Sequence, residues 1–150
     1  MKLLKRAEEF TPAVRRLIEQ CLYMADDKKI SKIIDLYISE SCRFFYALLE
    51  DGVPQAIIGI SVRKEATSES PAATILHIAV DDHLRTRGIG RKMIDEVIEK
   101  HKLASIQAQT DQDSMEFYRT CGFSITSLGE LYPGVERFLC EKKIHSAGFQ

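Results

Sequence analysis

The fold of this chain is decided by one segment, Arg85-Thr86-Arg87-Gly88-Ile89-Gly90-Arg91-Lys92. It follows an apolar run at residues 74–80, which predicts a strand buried on both faces, and it precedes a helical pattern. Glycines let the backbone approach a ligand closely, and the first turn of a helix offers unbonded N–H groups and a partial positive charge. With its four cationic side chains, the segment predicts a cradle for a pyrophosphate group. A strand-to-helix turn with solvated charges is the alternative interpretation.

Two common phosphate-binding motifs do not describe this segment. It lacks the Gly-Lys-Ser/Thr ending of a Walker A loop, and it lacks the third glycine of the dinucleotide fingerprint. It also lies in the middle of the chain, whereas the dinucleotide fingerprint usually opens its domain. These patterns by themselves leave the identity of the phosphate ligand open.

Length and charge restrict the classes of protein that this chain can represent. Its 150 residues predict a single domain, residues 1–150, with a frayed tail at 146–150. The 21 Lys and Arg residues nearly balance the 22 Asp and Glu residues, which gives no general reason to bind nucleic acid or an anionic membrane. No apolar run approaches the roughly 20 residues of a membrane span, and the charged start does not resemble a signal peptide. We therefore expect a cytoplasmic protein with no nucleic-acid or membrane partner.

The cysteines and histidines give no indication of a metal site. Four of each are spread along the chain without a CxxC pair or an HxxxH spacing. Zinc ligands are usually clustered, and secreted disulfide frameworks are usually denser in cysteine. We expect four reduced thiols and no metal.

Hydrophobic periodicity and turn residues predict the other elements. Thr11-Pro12 opens a first helix, an apolar stripe at residues 30–38 predicts a second, and Asp113 with Glu116 predicts a capping box for the last helix, which ends at Gly122. The stretch of residues 64–72 is polar, and a loop is predicted within it at residues 67–71. Predicted strands occupy residues 43–49, 55–62, 74–80, 105–110, 123–126 and 135–140, with an Asp51-Gly52 hairpin after the first and a loop before the last. Such an order indicates an α/β or α+β fold with one sheet.

A second motif, Phe117-Tyr118-Arg119-Thr120-Cys121-Gly122-Phe123, lies about thirty residues after the first. The two motifs match [QR]xxGx[GA] and FYxxxGF, which mark the GCN5-related N-acetyltransferases, and about two-thirds of the chain resembles that family. The resemblance implies a single mixed sheet, mostly antiparallel and splayed in the middle, flanked by about four helices.

The resemblance also implies a reaction, the attack of a primary amine of a small molecule or peptide on the thioester of acetyl-CoA through a tetrahedral intermediate. Tyr118 would protonate the departing thiolate. The residues implied in cofactor binding are Ile78, Ala79, Val80, Arg85, Arg87, Gly88, Ile89, Gly90, Arg91, Lys92, Thr110 and Tyr118. The alternatives are an acetyl-CoA sensor without turnover and a phosphate-binding module of another fold. Homodimers are common in the family, so a dimer is compatible with the resemblance.

The general base has no candidate at the usual positions. Relatives often carry Glu or His where this chain has Thr74 and Leu76, and neither side chain takes a proton near neutral pH. His77 alternates to the opposite face of the strand and is interpreted as a packed or hydrogen-bonded histidine. We expect a water-relayed base or an amine that arrives neutral.

The resemblance places the amine acceptor near two predicted loops. Asp26 and Asp27 lie in the first loop, and Glu130, Tyr132 and Glu136 lie at the connection between the last two strands. An acidic rim would suit a cationic amine such as a polyamine, an aminoglycoside or a lysine side chain. Ordinary solvated loop acids are the alternative interpretation.

Overall fold

The computed structural model describes residues 1–64 and 70–145. Within them it contains four α-helices: α1 (Pro12–Glu19), α2 (Asp27–Ser39), α3 (Ile89–His101) and α4 (Gln112–Thr120). The seven strands are β1 (Lys2–Leu3), β2 (Arg43–Glu50), β3 (Val53–Arg63), β4 (Ala72–Val80), β5 (Ser105–Thr110), β6 (Ser124–Tyr132) and β7 (Val135–Lys143). Short 3-10 turns occupy Ala7–Glu9 and Asp82–Leu84. The predicted frayed tail and residues 65–69, which include the first half of the predicted loop, lie outside the described residues.

The strands form one mixed sheet in the order β1-β2-β3-β4-β5-β7-β6, which confirms the predicted fold class. The pairs β1–β2, β2–β3, β5–β7 and β6–β7 are antiparallel, while β4 and β5 are parallel. The parallel register covers three positions and ends where Thr74 pairs with Gln107. Beyond that pair β4 continues to Val80, so its second half runs without β5 along that edge.

Side-chain caps determine where three of the helices begin. Thr11 accepts a hydrogen bond from the Val14 N–H, as the Thr-Pro pattern predicted, and Asp26 caps α2. The prediction for α4 was wrong, because Asp111 and not Asp113 is its N-cap. The Asp111 carboxylate accepts from the Ser114 N–H at 3.1 Å. Asp113 lies in the first turn, where its negative charge complements the helix dipole.

The last two strands are longer than predicted. The sequence analysis interpreted residues 127–134 as a loop because they contain two glycines and a proline, but β6 extends to Tyr132 and β7 starts at Val135. The register between β6 and β7 shifts between Ser127 and Gly129, where Gly129 pairs with Arg137 and has φ of +79°, and a bulge of this kind accommodates an extra residue. Glu130, Tyr132 and Glu136 therefore lie on strands and not in a loop.

The chain divides into two compact units, and the boundary crosses β4 and α3. The first unit combines Met1–Val62 with Leu76–Glu96. Its core is apolar and includes Leu4, Phe10, Val14, Leu17, Ile18, Ile30, Ile34, Tyr37, Phe45, Ala47, Ile57 and Ala79. The second unit combines Arg63–Ile75 with the described part of Val97–Gln150, and it contains β5, β6, β7 and α4.

A lysine near the start of the chain ties α2 to the sheet of the first unit. The Lys5 ammonium donates hydrogen bonds to the carbonyl oxygens of Tyr37, Glu40 and Arg43, at 2.9, 3.2 and 2.9 Å. These carbonyls lie at the end of α2 and the start of β2, where a cation also complements the helix dipole. The sequence analysis identified neither this contact nor the short strand β1.

A glycine in β3 makes room for the largest polar side chain of the core. Tyr37 is fully buried, and a Cβ atom at Gly59 would lie 1.9 Å from its hydroxyl oxygen. The ring packs edge-on against Phe45, which pairs with Gly59 across the β2–β3 ladder. Glycine inside a strand often marks such a close approach. The tyrosine and the glycine therefore depend on each other.

We predict that Gly59→Ala lowers the free energy of unfolding by about 3 kcal/mol, because the new methyl group overlaps a fully buried ring. Urea unfolding is the measurement. The comparison variant is Gly134→Ala, where no atom lies within 4 Å of the added Cβ but φ is +79°, and about 1 kcal/mol is expected.

A double-mutant cycle isolates the steric cause. In a Tyr37→Val background the same glycine substitution should cost at least about 1 kcal/mol less, because the overlapping ring is gone. Equal costs in both backgrounds would show that the ring does not require this glycine.

Candidate active site

The loop between β4 and α3 has a strained backbone. Thr86 and Gly88 both adopt positive φ, +70° and +75°. This conformation is unusual for a β-branched residue such as threonine, and strain of this kind is concentrated at functional sites. A Cβ atom at Gly88 would meet no protein atom within 4 Å, so the glycine borders open space. The loop is thus both constrained and accessible.

The start of α3 supplies hydrogen-bond donors to this loop. The helix begins at Ile89, and its first internal bond runs from the Lys92 N–H to the Gly88 carbonyl at 3.1 Å. The amides of Ile89 and Gly90 consequently have no acceptor within the helix. Donors of this kind, together with the helix dipole, fit the pyrophosphate group that the sequence analysis predicted here.

The four cationic side chains of the motif, two in the loop and two in the first turn of α3, differ in their surroundings. All four are exposed. Arg85 donates from Nε to the Val80 carbonyl at 3.2 Å and from Nη2 to Gln20 Oε1 at 3.1 Å, and it forms an ion pair with Asp82. Within the described residues, Arg87 makes no hydrogen bond or ion pair. The charge available to a ligand is therefore not evenly distributed along the loop.

The end of β4 is contacted by the end of α1. The thiol of Cys21 donates to the Ile78 carbonyl at 3.3 Å, and Ala79 is buried in the core. Burial raises the pKa of the Cys21 thiol to about 11, so at neutral pH the side chain is a donor and not a thiolate nucleophile.

His77 is held by the buried phenol of Tyr37. The hydroxyl oxygen of Tyr37 lies 2.6 Å from His77 Nδ1. Burial, with the nearby Arg43 guanidinium, lowers the pKa of His77 to about 4, and burial raises the pKa of Tyr37. Both groups are therefore neutral at pH 7, and one hydrogen bond joins the phenol oxygen of Tyr37 to Nδ1 of His77. The interpretation of His77 as a hydrogen-bonded histidine is confirmed.

Thr74 and Leu76, the other two positions considered for the general base, carry no side chain that can accept the amine proton. The hydroxyl oxygen of Thr74 accepts a hydrogen bond from Gln107 Nε2 at 3.4 Å, next to the last β4–β5 pair. Leu76 packs against the apolar core of the first unit. The general base remains unassigned.

The Phe-Tyr motif forms the end of α4 in the second unit. The Phe123 N–H donates to the Tyr118 carbonyl and the Gly122 N–H donates to the Arg119 carbonyl, both at 3.0 Å, while Gly122 has φ of +89°. These bonds are a Schellman motif, which satisfies the last carbonyls of a helix and usually brings two apolar side chains together. Here the rings of Tyr118 and Phe123 lie 5.3 Å apart. The motif therefore has a structural role in addition to any role of Tyr118 in chemistry.

The family model for the Acetyltransferase (GNAT) family matches residues 11–123, which is more than half of the chain. The chain belongs to the GNAT acetyltransferase family.

Solved structures support the GNAT fold over nearly the full length. A GNAT-family protein from Desulfovibrio desulfuricans is 17% identical with a TM-score of 0.73, covering 96% of this chain and 98% of its own. An aminoglycoside 6'-N-acetyltransferase complexed with coenzyme A is 13% identical with a TM-score of 0.71, covering 97% and 98%. A ribosomal-protein-alanine N-acetyltransferase from Brucella melitensis is 13% identical with a TM-score of 0.71, covering 96% and 100%. None of the curated protein sequences compared with this GNAT chain matches it.

The residues predicted for the acceptor take part in local structure. The Asp26 carboxylate accepts from the Lys29 N–H at 2.7 Å, and Asp27 lies in the first turn of α2. Glu130 accepts from the Gly134 N–H at 3.3 Å, and Tyr132 is exposed near the end of β6. Glu136 accepts from the Ser127 hydroxyl and pairs with Glu130 across the β6–β7 ladder. Their contact with an acceptor stays a prediction.

The remaining predicted cofactor residue, Thr110, is buried at the end of β5 and is followed by the capping residue Asp111. Within residues 1–64 and 70–145, no group of three or more His, Cys, Asp or Glu side chains is placed to hold a metal ion. No helix of the same described residues is long and apolar enough to cross a membrane.

Sequence reasoning missed the contacts that fix β4 within the first unit of this GNAT protein. These contacts are Tyr37 with His77, Cys21 with Ile78, and Gln20 with Arg85. Each joins residues at least 40 positions apart, and no local pattern marks them. Gly59 was the one signal in the sequence, because a glycine within an apolar strand indicates that another group approaches the strand backbone closely.

We predict that the stability of the protein depends on pH through His77. Its pKa is lowered from 6.5 to about 4 in the folded state, so the unfolded chain binds more protons between these values. The stabilisation is complete above about pH 6.5 and is lost as the pH falls towards 4, with a magnitude on the order of 3 kcal/mol.

The measurement is the free energy of unfolding by urea at pH 7, 6, 5 and 4.5. His77→Phe should show a shallower decline than the unmodified protein, while His83→Gln, which removes an exposed histidine, should follow the unmodified protein. Equal slopes for His77→Phe and the unmodified protein would contradict a buried neutral imidazole.

Proposed function

We propose that this GNAT protein transfers an acetyl group from acetyl-CoA to a primary amine of a small molecule or peptide. The observation that carries the proposal is the loop at Gly88, which borders open space and directly precedes two amides without helical acceptors at the start of α3. In this proposal the amides of Ile89 and Gly90 hold the pyrophosphate, and Arg87 contributes an exposed positive charge.

The second half of β4 supports the binding of an extended ligand. From Leu76 to Val80 the strand lies beyond its last pair with β5. The Ile78 and Val80 carbonyls accept from Cys21 and Arg85, so the N–H groups of this part of the strand are the ones that can bond to another chain of atoms. Acetyl-CoA would supply a thioester carbonyl there, and an N–H of Ile78, Ala79 or Val80 would stabilise the negative charge that develops on its oxygen.

Proton transfer is divided between a named acid and an unassigned base. Tyr118 protonates the departing thiolate in this proposal. His77 does not remove the amine proton in this proposal, because its Nδ1 is bonded to the Tyr37 hydroxyl and burial lowers its pKa to about 4. The amine therefore arrives neutral or loses its proton to water.

The alternative is a protein that binds acetyl-CoA without turnover. The observation that favours it is the lack of an acid at Thr74 and Leu76. Calorimetric titration with acetyl-CoA, using 3′-dephospho-acetyl-CoA and ATP as comparisons, followed by acetylation assays over an amine panel that starts with polyamines, separates the two. Binding with turnover supports the enzyme, and binding without turnover over the panel supports the alternative. A folded sample that binds none of the three ligands contradicts both.

We predict that Gly88→Val weakens acetyl-CoA binding at least tenfold, because its side chain fills the open space and disturbs a backbone with φ of +75°. Calorimetry gives the dissociation constant. Gly134→Val is the matched control, since it has the same open surroundings and φ of +79° but lies in the β6–β7 turn. Equal affinities for the two variants would remove the loop from the cofactor site.

We predict that Tyr118→Phe lowers kcat by about 10²-fold or more and leaves the dissociation constant of acetyl-CoA within twofold. The ring and its contact with Phe123 remain, so the variant should fold, and the urea midpoint is measured to check this. Tyr23→Phe, at an exposed tyrosine, is the control and should leave kcat unchanged. A Tyr118→Phe protein with unchanged kcat would show that Tyr118 is not the acid.

A further inference from the structure

Arg85 is committed to protein acceptors on three separate segments. Its Nε donates to the carbonyl of Val80 at the end of β4, and its Nη2 donates to the amide oxygen of Gln20 at the end of α1. The same Nη2 lies 2.9 Å from a carboxylate oxygen of Asp82 in the 3-10 turn. A guanidinium has five N–H donors in a rigid planar fork, and three of them are used here.

The end of α1 is joined to the strand at two neighbouring points. Gln20 reaches Val80 through the Arg85 guanidinium, and Cys21 reaches the Ile78 carbonyl directly. Val80 and Ile78 are alternate residues of β4, so the chain at the end of α1 follows the edge of the strand. A thiol is a weak hydrogen-bond donor, and the bonds of a guanidinium are stronger. The bridge through Arg85 is therefore the stronger of the two attachments.

The loop that follows depends on these attachments. Tyr23 and Met24 are 87% and 79% exposed, and Met24 has φ of +57°. The next anchor along the chain is Asp26, which caps α2. Leu22 and Ala25 pack at the edge of the core of the first unit, and the contacts of Gln20 and Cys21 attach the start of the loop to β4.

The ion pair with Asp82 decreases the attraction of Arg85 for a phosphate. The carboxylate lies against the guanidinium and offsets its charge, although both side chains are largely exposed and such a pair adds little stability. Arg87 has no carboxylate against it within the described residues. The two arginines of the motif therefore differ in the charge that they can present to a ligand.

We propose that Arg85 is a positioning residue, which holds residues 20–26 against the end of β4, and that it is not a ligand of the cofactor's phosphates. The proposal rests on the proposed function for the identity of the cofactor. It assigns Arg87 and the amides of the α3 N-terminus to phosphate binding and Arg85 to the placement of the α1–α2 loop.

Hydrogen exchange followed by mass spectrometry tests the placement without any ligand. Arg85→Ala and Gln20→Ala should each increase amide exchange in residues 21–25 at least fivefold, and the double variant should equal Arg85→Ala alone, because both substitutions break one bridge. Arg85→Lys keeps the charge but loses the fork, so it should behave like Arg85→Ala. Arg87→Ala is the matched control and should leave the exchange unchanged.

Calorimetry with acetyl-CoA tests the second half of the proposal. Arg85→Ala and Gln20→Ala should bind within twofold of the unmodified protein, whereas Arg87→Ala should bind at least fivefold more weakly. Unchanged exchange in Arg85→Ala would overturn the proposal, and so would a loss of affinity in Arg85→Ala that Gln20→Ala does not share. If the unmodified protein binds no acetyl-CoA, the proposed function fails, and the exchange data still decide whether Arg85 positions the loop.

Discussion

The first unit depends on a phenol hydroxyl that is buried and must be hydrogen-bonded. Leaving such a group without a partner costs on the order of 1–3 kcal/mol, so the surroundings of Tyr37 are tightly constrained. Its hydroxyl bonds to His77 on β4, and its ring takes the space above Gly59 on β3 and packs against Phe45 on β2. One side chain of α2 thereby contacts three strands of the first unit, and burial keeps the imidazole of His77 neutral.

The candidate cofactor site forms where regular hydrogen bonding ends. The β4–β5 ladder stops at Thr74, the loop after β4 passes through two residues with positive φ, and α3 begins with amides that have no helical acceptor. Backbone groups left without partners in this way are what an extended, phosphate-bearing ligand can use. The side chains of the loop differ in their contacts. Arg85 donates to Val80 and Gln20, whereas Arg87 has no hydrogen-bond partner within the described residues.

Local patterns predicted the elements whose termini are set by neighbouring residues. The Asp51-Gly52 turn and the Thr11-Pro12 helix start are of this kind, and the structure confirms both. The local pattern did not identify the N-cap of α4. Both Asp111 and Asp113 are residues that can cap a helix, and Asp111 is the cap because the backbone is extended at that residue. The local pattern also failed at Gly129, because a bulge and a loop have similar residues, and only the pairing with β7 distinguishes them.

The sequence by itself determined the family, the order of most elements and the position of the glycine loop before α3, because each of these depends on residues close together in the chain. The tertiary structure decided the protonation of His77 and the partners of Arg85. Tyr37 and Gln20 approach these residues from 40 and 65 positions away, and a separation of that size leaves no periodicity in the sequence. Burial and long-range hydrogen bonds arise only when the chain has folded, so their chemical effects could not be predicted from spacing alone.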